Sequence, residues 1–123
     1  MKNNTINIEE IKQIKKTFQI HLSHFTKKYN KLLAMDDKSK EFLQLKCYYS
    51  FCIDTLDDIV EIYADLINLF KKDELKKDYF QKKIQEAQRL HKNINIETNK
   101  PTTKRLLNIY NIDIYSKKGD LTL

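Results

Sequence analysis

The chain has 123 residues and a formal net charge of +6, with 41% hydrophobic and 33% charged residues. It contains one glycine and one proline. This argues against a many-stranded barrel or sandwich and against a glycine-rich phosphate loop, because hairpin turns and phosphate-binding loops need glycine. The composition instead predicts an all-α domain over residues 1–111, an antiparallel bundle of three long helices and a short fourth, followed by a C-terminal tail over residues 112–123.

The first predicted helix begins after Asn7, whose side chain is a suitable N-cap, and Glu10 stands three residues later as in a capping box. Apolar residues then recur every seven positions, which predicts one buried stripe: Ile11, Phe18, Phe25 and Leu32. Residues 35–39 break this period and predict a short turn.

The second predicted helix has the most regular apolar pattern in the chain, with spacings of three and four throughout. The pattern runs through Phe42, Leu45, Tyr49, Cys52, Leu56, Ile59, Tyr63, Leu66 and Phe70. A second stripe of Ile53, Val60 and Ile67 widens the apolar face. Such a wide face predicts at least two packing neighbours, which favours a bundle over a two-stranded coiled coil.

The third helix is predicted from about Asp73 or Glu74 to about Asn93, and residues 93–100 are predicted to be a connector. Pro101 suits the first turn of a short fourth helix that continues to about Tyr110. In the tail, residues 112–115 alternate in polarity as a strand does, and we expect the tail to become ordered on a partner.

The two cysteines are five residues apart, a spacing that fits neither a CxxC redox motif nor a zinc knuckle. Cys47 and Cys52 are therefore predicted to be reduced thiols, Cys47 the more exposed of the two. The first residues lack the apolar stretch of a signal peptide, and no run of apolar residues reaches the length of a membrane helix. These observations predict a cytoplasmic protein without a membrane span.

An acidic stripe follows one side of the second helix at spacings of three and four, formed by Asp54, Asp57, Asp58, Glu61 and Asp65. Clustered carboxylates can hold Mg²⁺, and the stripe is similar in this respect to the sites of all-helical nucleotide pyrophosphohydrolases of the MazG type. Those enzymes pair ExxE with ExxD, whereas Glu61 and Asp65 are four apart and the first helix has only the adjacent Glu9 and Glu10. We therefore predict no metal site and expect a face that is solvated or docked against basic residues.

Other catalytic arrangements lack support in the sequence. His21 and His24 form an HxxH pair on the first helix, but HExxH and further metal ligands are absent. No serine lies in a glycine-bounded elbow, and no thiol has an evident base nearby. The sequence therefore predicts a protein that is not an enzyme and uses no cofactor, with a MazG-like magnesium-dependent hydrolase as a distant alternative.

Lysine-rich helices provide a second hypothesis, that of a nucleic-acid-associated accessory protein. The candidate contacts are Lys12, Lys15, Lys16, Lys76 and Lys83. The chain has 21 lysines and two arginines. Because arginine is the usual bidentate reader of guanine and phosphate, this scarcity predicts non-specific binding at most.

The leading hypothesis is a non-catalytic protein that acts by binding another protein. Candidate contacts are the tyrosines Tyr48, Tyr110 and Tyr115, since tyrosine is enriched at interfaces, together with Asp54, Asp58, Glu61 and Asp65. In architecture the predicted bundle resembles bacteriocin immunity proteins, which favours an inhibitor, immunity or antitoxin-like accessory of a bacterium or mobile element. A homodimer through the long second helix is compatible with either hypothesis.

Overall fold

A computed structural model describes residues 6–110. In this part of the chain four helices and no strand are present: α1 (Ile8–Leu33), α2 (Lys40–Lys71), α3 (Lys77–Thr98) and α4 (Pro101–Ile109). The predicted all-α bundle is confirmed. Residues 112–123, the predicted tail, lie outside the described residues.

Helix α1 begins as its sequence predicts. The side chain of Asn7 accepts a hydrogen bond of 3.1 Å from the backbone N–H of Glu10, which satisfies one of the free donors at the helix N-terminus. The four residues spaced seven apart are all buried, and they pack α1 against α2: Ile11, Phe18, Phe25 and Leu32.

Helix α2 lies at the centre of the bundle, in contact with α1, α3 and α4. Ser39 caps it by accepting a hydrogen bond of 3.2 Å from the backbone N–H of Phe42. The predicted apolar seam is buried from Phe42 to Leu66, and this burial against several neighbours confirms the expected bundle. Phe70 is the exception, because it lies in the last turn of α2 and is 40% exposed.

The end of α2 explains why α3 starts later than predicted. The backbone N–H of Glu74 donates to the carbonyl of Leu69 at 2.8 Å, and that of Asp73 donates to the carbonyl of Phe70 at 3.0 Å. This pair of bonds is a Schellman ending, with Asp73 in the left-handed region at φ 59°. The predicted start at Asp73 or Glu74 is therefore wrong, and α3 begins at Lys77.

The far end of α3 also differs from the prediction, since residues 93–98 are helical. Ile94 and Thr98 continue the buried face of α3, and packing of these two side chains outweighs the low helix propensity of the surrounding asparagines. The predicted connector shrinks to residues 99–100. Pro101 then opens α4 as expected, and Leu106 and Leu107 bury this short helix against the core.

Candidate functional site

The acidic stripe of α2 borders a groove between α2 and α3. The groove has a volume of about 310 Å³ and is lined by Asp58, Glu61, Ile62, Asp65, Lys83, Glu86 and Leu90. We call it the acidic groove. Asp54 and Asp57 are exposed on α2 and do not line it. The structure thus brings three of the five predicted stripe residues together with side chains of α3.

Contacts between the helices set the register of the groove. The hydroxyl of Tyr79 donates a hydrogen bond of 2.8 Å to Oδ2 of Asp65. In an antiparallel pair this contact brings Lys83 level with Glu61, and Glu86 level with Asp58. The two walls therefore face each other with acidic residues on both sides.

One cation lines the acidic groove, and it belongs to the α3 wall. Lys83 Nζ lies 3.3 Å from Oε1 of Glu86 and 5.6 Å from the ring centre of Tyr79. The hydrogen bond and charge of Glu86 raise the pKa of Lys83 above its usual range, so the amine stays protonated at neutral pH. The hydrogen bond to Asp65 likewise raises the pKa of Tyr79, which keeps this phenol protonated as a donor.

Two carboxylates of the groove have no cationic partner. Within residues 6–110, Asp58 and Glu61 take part in no salt bridge, and both side chains are exposed. Counting Asp65 and Glu86 as well, the lining carries four carboxylates against one ammonium group. The groove is therefore a negative concavity in a chain whose formal charge is +6.

The groove combines this charge with apolar surface, since Ile62 and Leu90 are half-buried in its lining. Lysine and arginine side chains lay their aliphatic stems on apolar surface while the charged head reaches polar groups. The lining thus suits basic side chains of a partner. For metal binding, no group of three histidine, cysteine, aspartate or glutamate side chains in the described residues is placed to hold an ion.

The predicted sites do not place Lys83 in a groove, and they do not include Ile62, Glu86 or Leu90. Lys83, Glu86 and Leu90 reach the groove through the antiparallel register between α2 and α3, which becomes visible only when the two helices are aligned. The boundaries predicted for α3 were several residues too early at both ends, so this alignment was not available from the sequence pattern.

Tyr48 is a predicted partner contact, but the structure buries its side chain. Its side chain is 7% exposed, and its hydroxyl lies 2.7 Å from Oγ1 of Thr98 in the core. Tyr48 is buried because the last turns of α3 pack against this side of α2. Tyr48 is therefore not available for a partner on the surface of the folded chain.

Tyr110 is half-buried and joins the end of α4 to the start of α2. Its hydroxyl lies 3.0 Å from Oγ of Ser39 and donates to Oδ2 of Asp37 at 3.3 Å, while its ring centre is 5.4 Å from that of Phe42. The backbone N–H of Ser39, at 2.9 Å, is the main cause that lowers the pKa of Asp37. Tyr110 thus has contacts within the chain, and Tyr115 lies outside the described residues.

The lysines proposed for nucleic-acid binding lie on different elements and differ in exposure. On α1, Lys12 lies 3.6 Å from Glu9, Lys15 is half-buried and Lys16 is exposed. Lys76 is exposed just before α3. Lys83 belongs to the acidic groove, so the structure separates it from the lysines of α1.

Of the two histidines in the HxxH pair, His21 is half-buried and His24 is exposed. Both cysteines are free thiols, Cys47 exposed and Cys52 buried. Burial raises the pKa of the Cys52 thiol to about 12, so this group is not a thiolate at neutral pH.

No protein-family model matches the sequence, and no curated protein or solved structure matches it significantly. In the described part of the chain, none of the helices has the length and apolar character needed to cross a bilayer.

Proposed function

We propose that this chain is a non-catalytic protein that acts by binding a basic segment of another protein in the acidic groove. The observation that carries the proposal is the groove of about 310 Å³, in which four carboxylates face one ammonium group. This concentration of negative charge stands in contrast to the positive charge of the whole chain.

Asp58 and Glu61 supply the contacts left open for the partner, since neither has a cationic partner in the described residues. A lysine or arginine of the partner binds between them with its stem on Ile62 or Leu90. Each exposed ion pair contributes about 0.2–1 kcal/mol, so the charges mainly direct the encounter and select the partner. The apolar lining supplies further affinity.

This mode of action belongs to the class of inhibitor, immunity and antitoxin-like accessory proteins. Such proteins bind one target tightly and need no catalytic group. A negative groove fits a target whose exposed segment is rich in lysine or arginine, as nucleic-acid-binding proteins and nucleases commonly present. We propose that the target belongs to this basic class.

The proposal is tested by affinity capture with matched charge variants. Immobilised wild-type chain, the double variant Asp58→Lys/Glu61→Lys and the control Asp57→Lys/Asp78→Lys are exposed to nuclease-treated lysate of the source cells. The control reverses two exposed carboxylates outside the groove. We expect a basic protein that is retained by the wild type and the control, and lost from the groove variant.

Two results would contradict the proposal. Retention of the same proteins by all three chains would show that the acidic groove does not select a partner. Retention that occurs only with lysate not treated with nuclease, and that is lost from the variant Lys12→Glu/Lys16→Glu, would identify a nucleic-acid-binding protein instead. A circular dichroism spectrum of each variant verifies that the helices are intact.

A further inference from the structure

A line of five exposed residues runs along the first half of α2, on the side turned away from the buried seam: Lys40, Leu43, Cys47, Phe51 and Asp54. Their spacings of three and four place them on one side of the helix. Leu43 is 50% exposed and Phe51 is 37% exposed. We call these residues the outer line of α2; it ends one turn before the acidic groove begins at Asp58.

The outer line is symmetric in chemistry about Cys47. Leu43 and Phe51 stand at equal distances on either side of it, and Lys40 and Asp54 stand at equal larger distances. When two copies of a helix pack antiparallel about a two-fold axis, a residue that lies n positions before the axis in one copy faces the residue n positions after the axis in the other copy. With the axis at Cys47, Leu43 faces Phe51 of the second copy, and Lys40 faces Asp54 of the second copy.

We propose that the outer line is the interface of a homodimer in which two α2 helices pack antiparallel with their two-fold axis at Cys47. The exposed apolar side chains cover each other, and two symmetric Lys40–Asp54 pairs form at the ends. The charges select this orientation, since parallel helices would place Lys40 against Lys40 and Asp54 against Asp54. The outer line shares no residue with the lining of the acidic groove, so variants of the two surfaces can be tested separately.

The interface is short, because the outer line spans about 21 Å of helix at the usual rise per residue. An interface of this size gives a reversible dimer rather than an obligate one. The fraction of dimer therefore changes with protein concentration, and the dissociation constant depends on the two ion pairs. Both dependences can be measured on the full chain.

Sedimentation velocity over a dilution series in reducing buffer tests the charge pairing. We expect a monomer–dimer equilibrium for the wild type, and a dissociation constant about tenfold larger for Lys40→Glu and for Asp54→Lys, since each reversal puts like charges together twice. The double variant Lys40→Glu/Asp54→Lys restores opposite charges and returns the dissociation constant close to that of the wild type. Asp78→Lys, on α3, serves as the charge control and leaves dimerisation unchanged.

Cross-linking with a short bismaleimide tests the position of the axis. The reagent is expected to link two chains through Cys47, to fail with Cys47→Ser, and to link fewer chains with Lys40→Glu. Cys52 does not compete, since it is fully buried in the folded chain. Far-UV circular dichroism verifies that each variant remains helical.

A monomer at every concentration would overturn the proposed dimer. A dimer that tolerates both single reversals, or that the double reversal fails to restore, would overturn this antiparallel pairing. Neither result bears on the capture of a basic protein by the acidic groove, which is measured with Asp58 and Glu61 and not with the outer line.

Discussion

The hydroxyl groups of Tyr48 and Thr98 lie 2.7 Å apart in the core and join the first half of α2 to the last turn of α3. Thr98 is the final residue of α3, so this contact holds the end of a helix that has no basic residue in its last turn. The contact thus joins two features that differ from the prediction: the buried position of Tyr48, and the end of α3 at Thr98.

Removing one partner of this buried pair should destabilise the fold. Thr98→Val leaves the Tyr48 hydroxyl without Oγ1 of Thr98 and is expected to lower the free energy of unfolding by about 1–2 kcal/mol. The double variant Tyr48→Phe/Thr98→Val removes both hydroxyls, so its loss should be smaller than the sum of the two single losses. Urea unfolding of all four chains measures this coupling, and strictly additive losses would contradict it.

The left-handed backbone of Asp73 predicts a stabilising substitution. Asp73→Gly removes a Cβ that is unfavourable at φ 59°, and it should raise the free energy of unfolding by about 1 kcal/mol. Asp73→Ala keeps the Cβ and should give no such gain. Thermal unfolding followed by circular dichroism compares the three chains; an equal gain for both variants would attribute the effect to the lost charge.

The environment of His91 predicts a loss of stability in mildly acidic solution. Its ring packs edge-on against Phe18 at 5.4 Å, and Nε2 is buried with no hydrogen-bond partner among the described residues. This burial lowers the pKa of His91 below 6.5 in the folded chain. Well above pH 6.5 the ring is neutral in both states. As the pH falls through about 6.5 the unfolded chain takes up the proton first, so the free energy of unfolding falls.

Urea unfolding between about pH 8 and pH 5 measures the contribution of His91. The variant His91→Phe should lose the part of the decline that belongs to this ring, whereas His24→Gln, at an exposed position, should retain it. A wild-type stability that is constant across this range would contradict the prediction. The lowered pKa of Asp37 acts in a more acidic range, since an ordinary aspartate titrates near 3.8.

The two cysteines should differ in reactivity towards a maleimide fluorophore at concentrations where the chain is monomeric. Cys47 is exposed and is expected to react in the folded chain, whereas Cys52 is buried, has a pKa of about 12, and should react only after unfolding. Mass spectrometry before and after denaturation counts the labels. Labelling of both thiols in the folded chain would place Cys52 in a more open environment.

The sequence was sufficient for most of the architecture because the signals were local and periodic. Asn7 caps α1, Pro101 opens α4, and the apolar residues spaced seven apart in α1 are buried. Both boundaries of α3 were misplaced for reasons that are not local. The Schellman ending at Asp73 uses an aspartate where glycine is common, and the last turns of α3 are helical because tertiary packing buries Thr98.

The candidate site could be predicted only in part. Its α2 wall was visible as a carboxylate stripe containing Asp58 and Glu61, since those residues share one helix. Its α3 wall, with Glu86 and Leu90, depends on the register between two helices, which no spacing within either helix determines. Tyr48 illustrates the same limit, because its burial depends on where α3 ends.

Helix α4 has nine residues, fewer than an isolated peptide needs to remain helical in water. Its helicity therefore depends on the burial of Leu106 and Leu107 and on the contacts of Tyr110 with the start of α2. Detachment of α4 uncovers Phe42 without breaking the long α1–α2 pair. The amide protons of α4 consequently exchange with solvent through a small local opening, whereas those at the centre of α2 exchange only on global unfolding of the bundle.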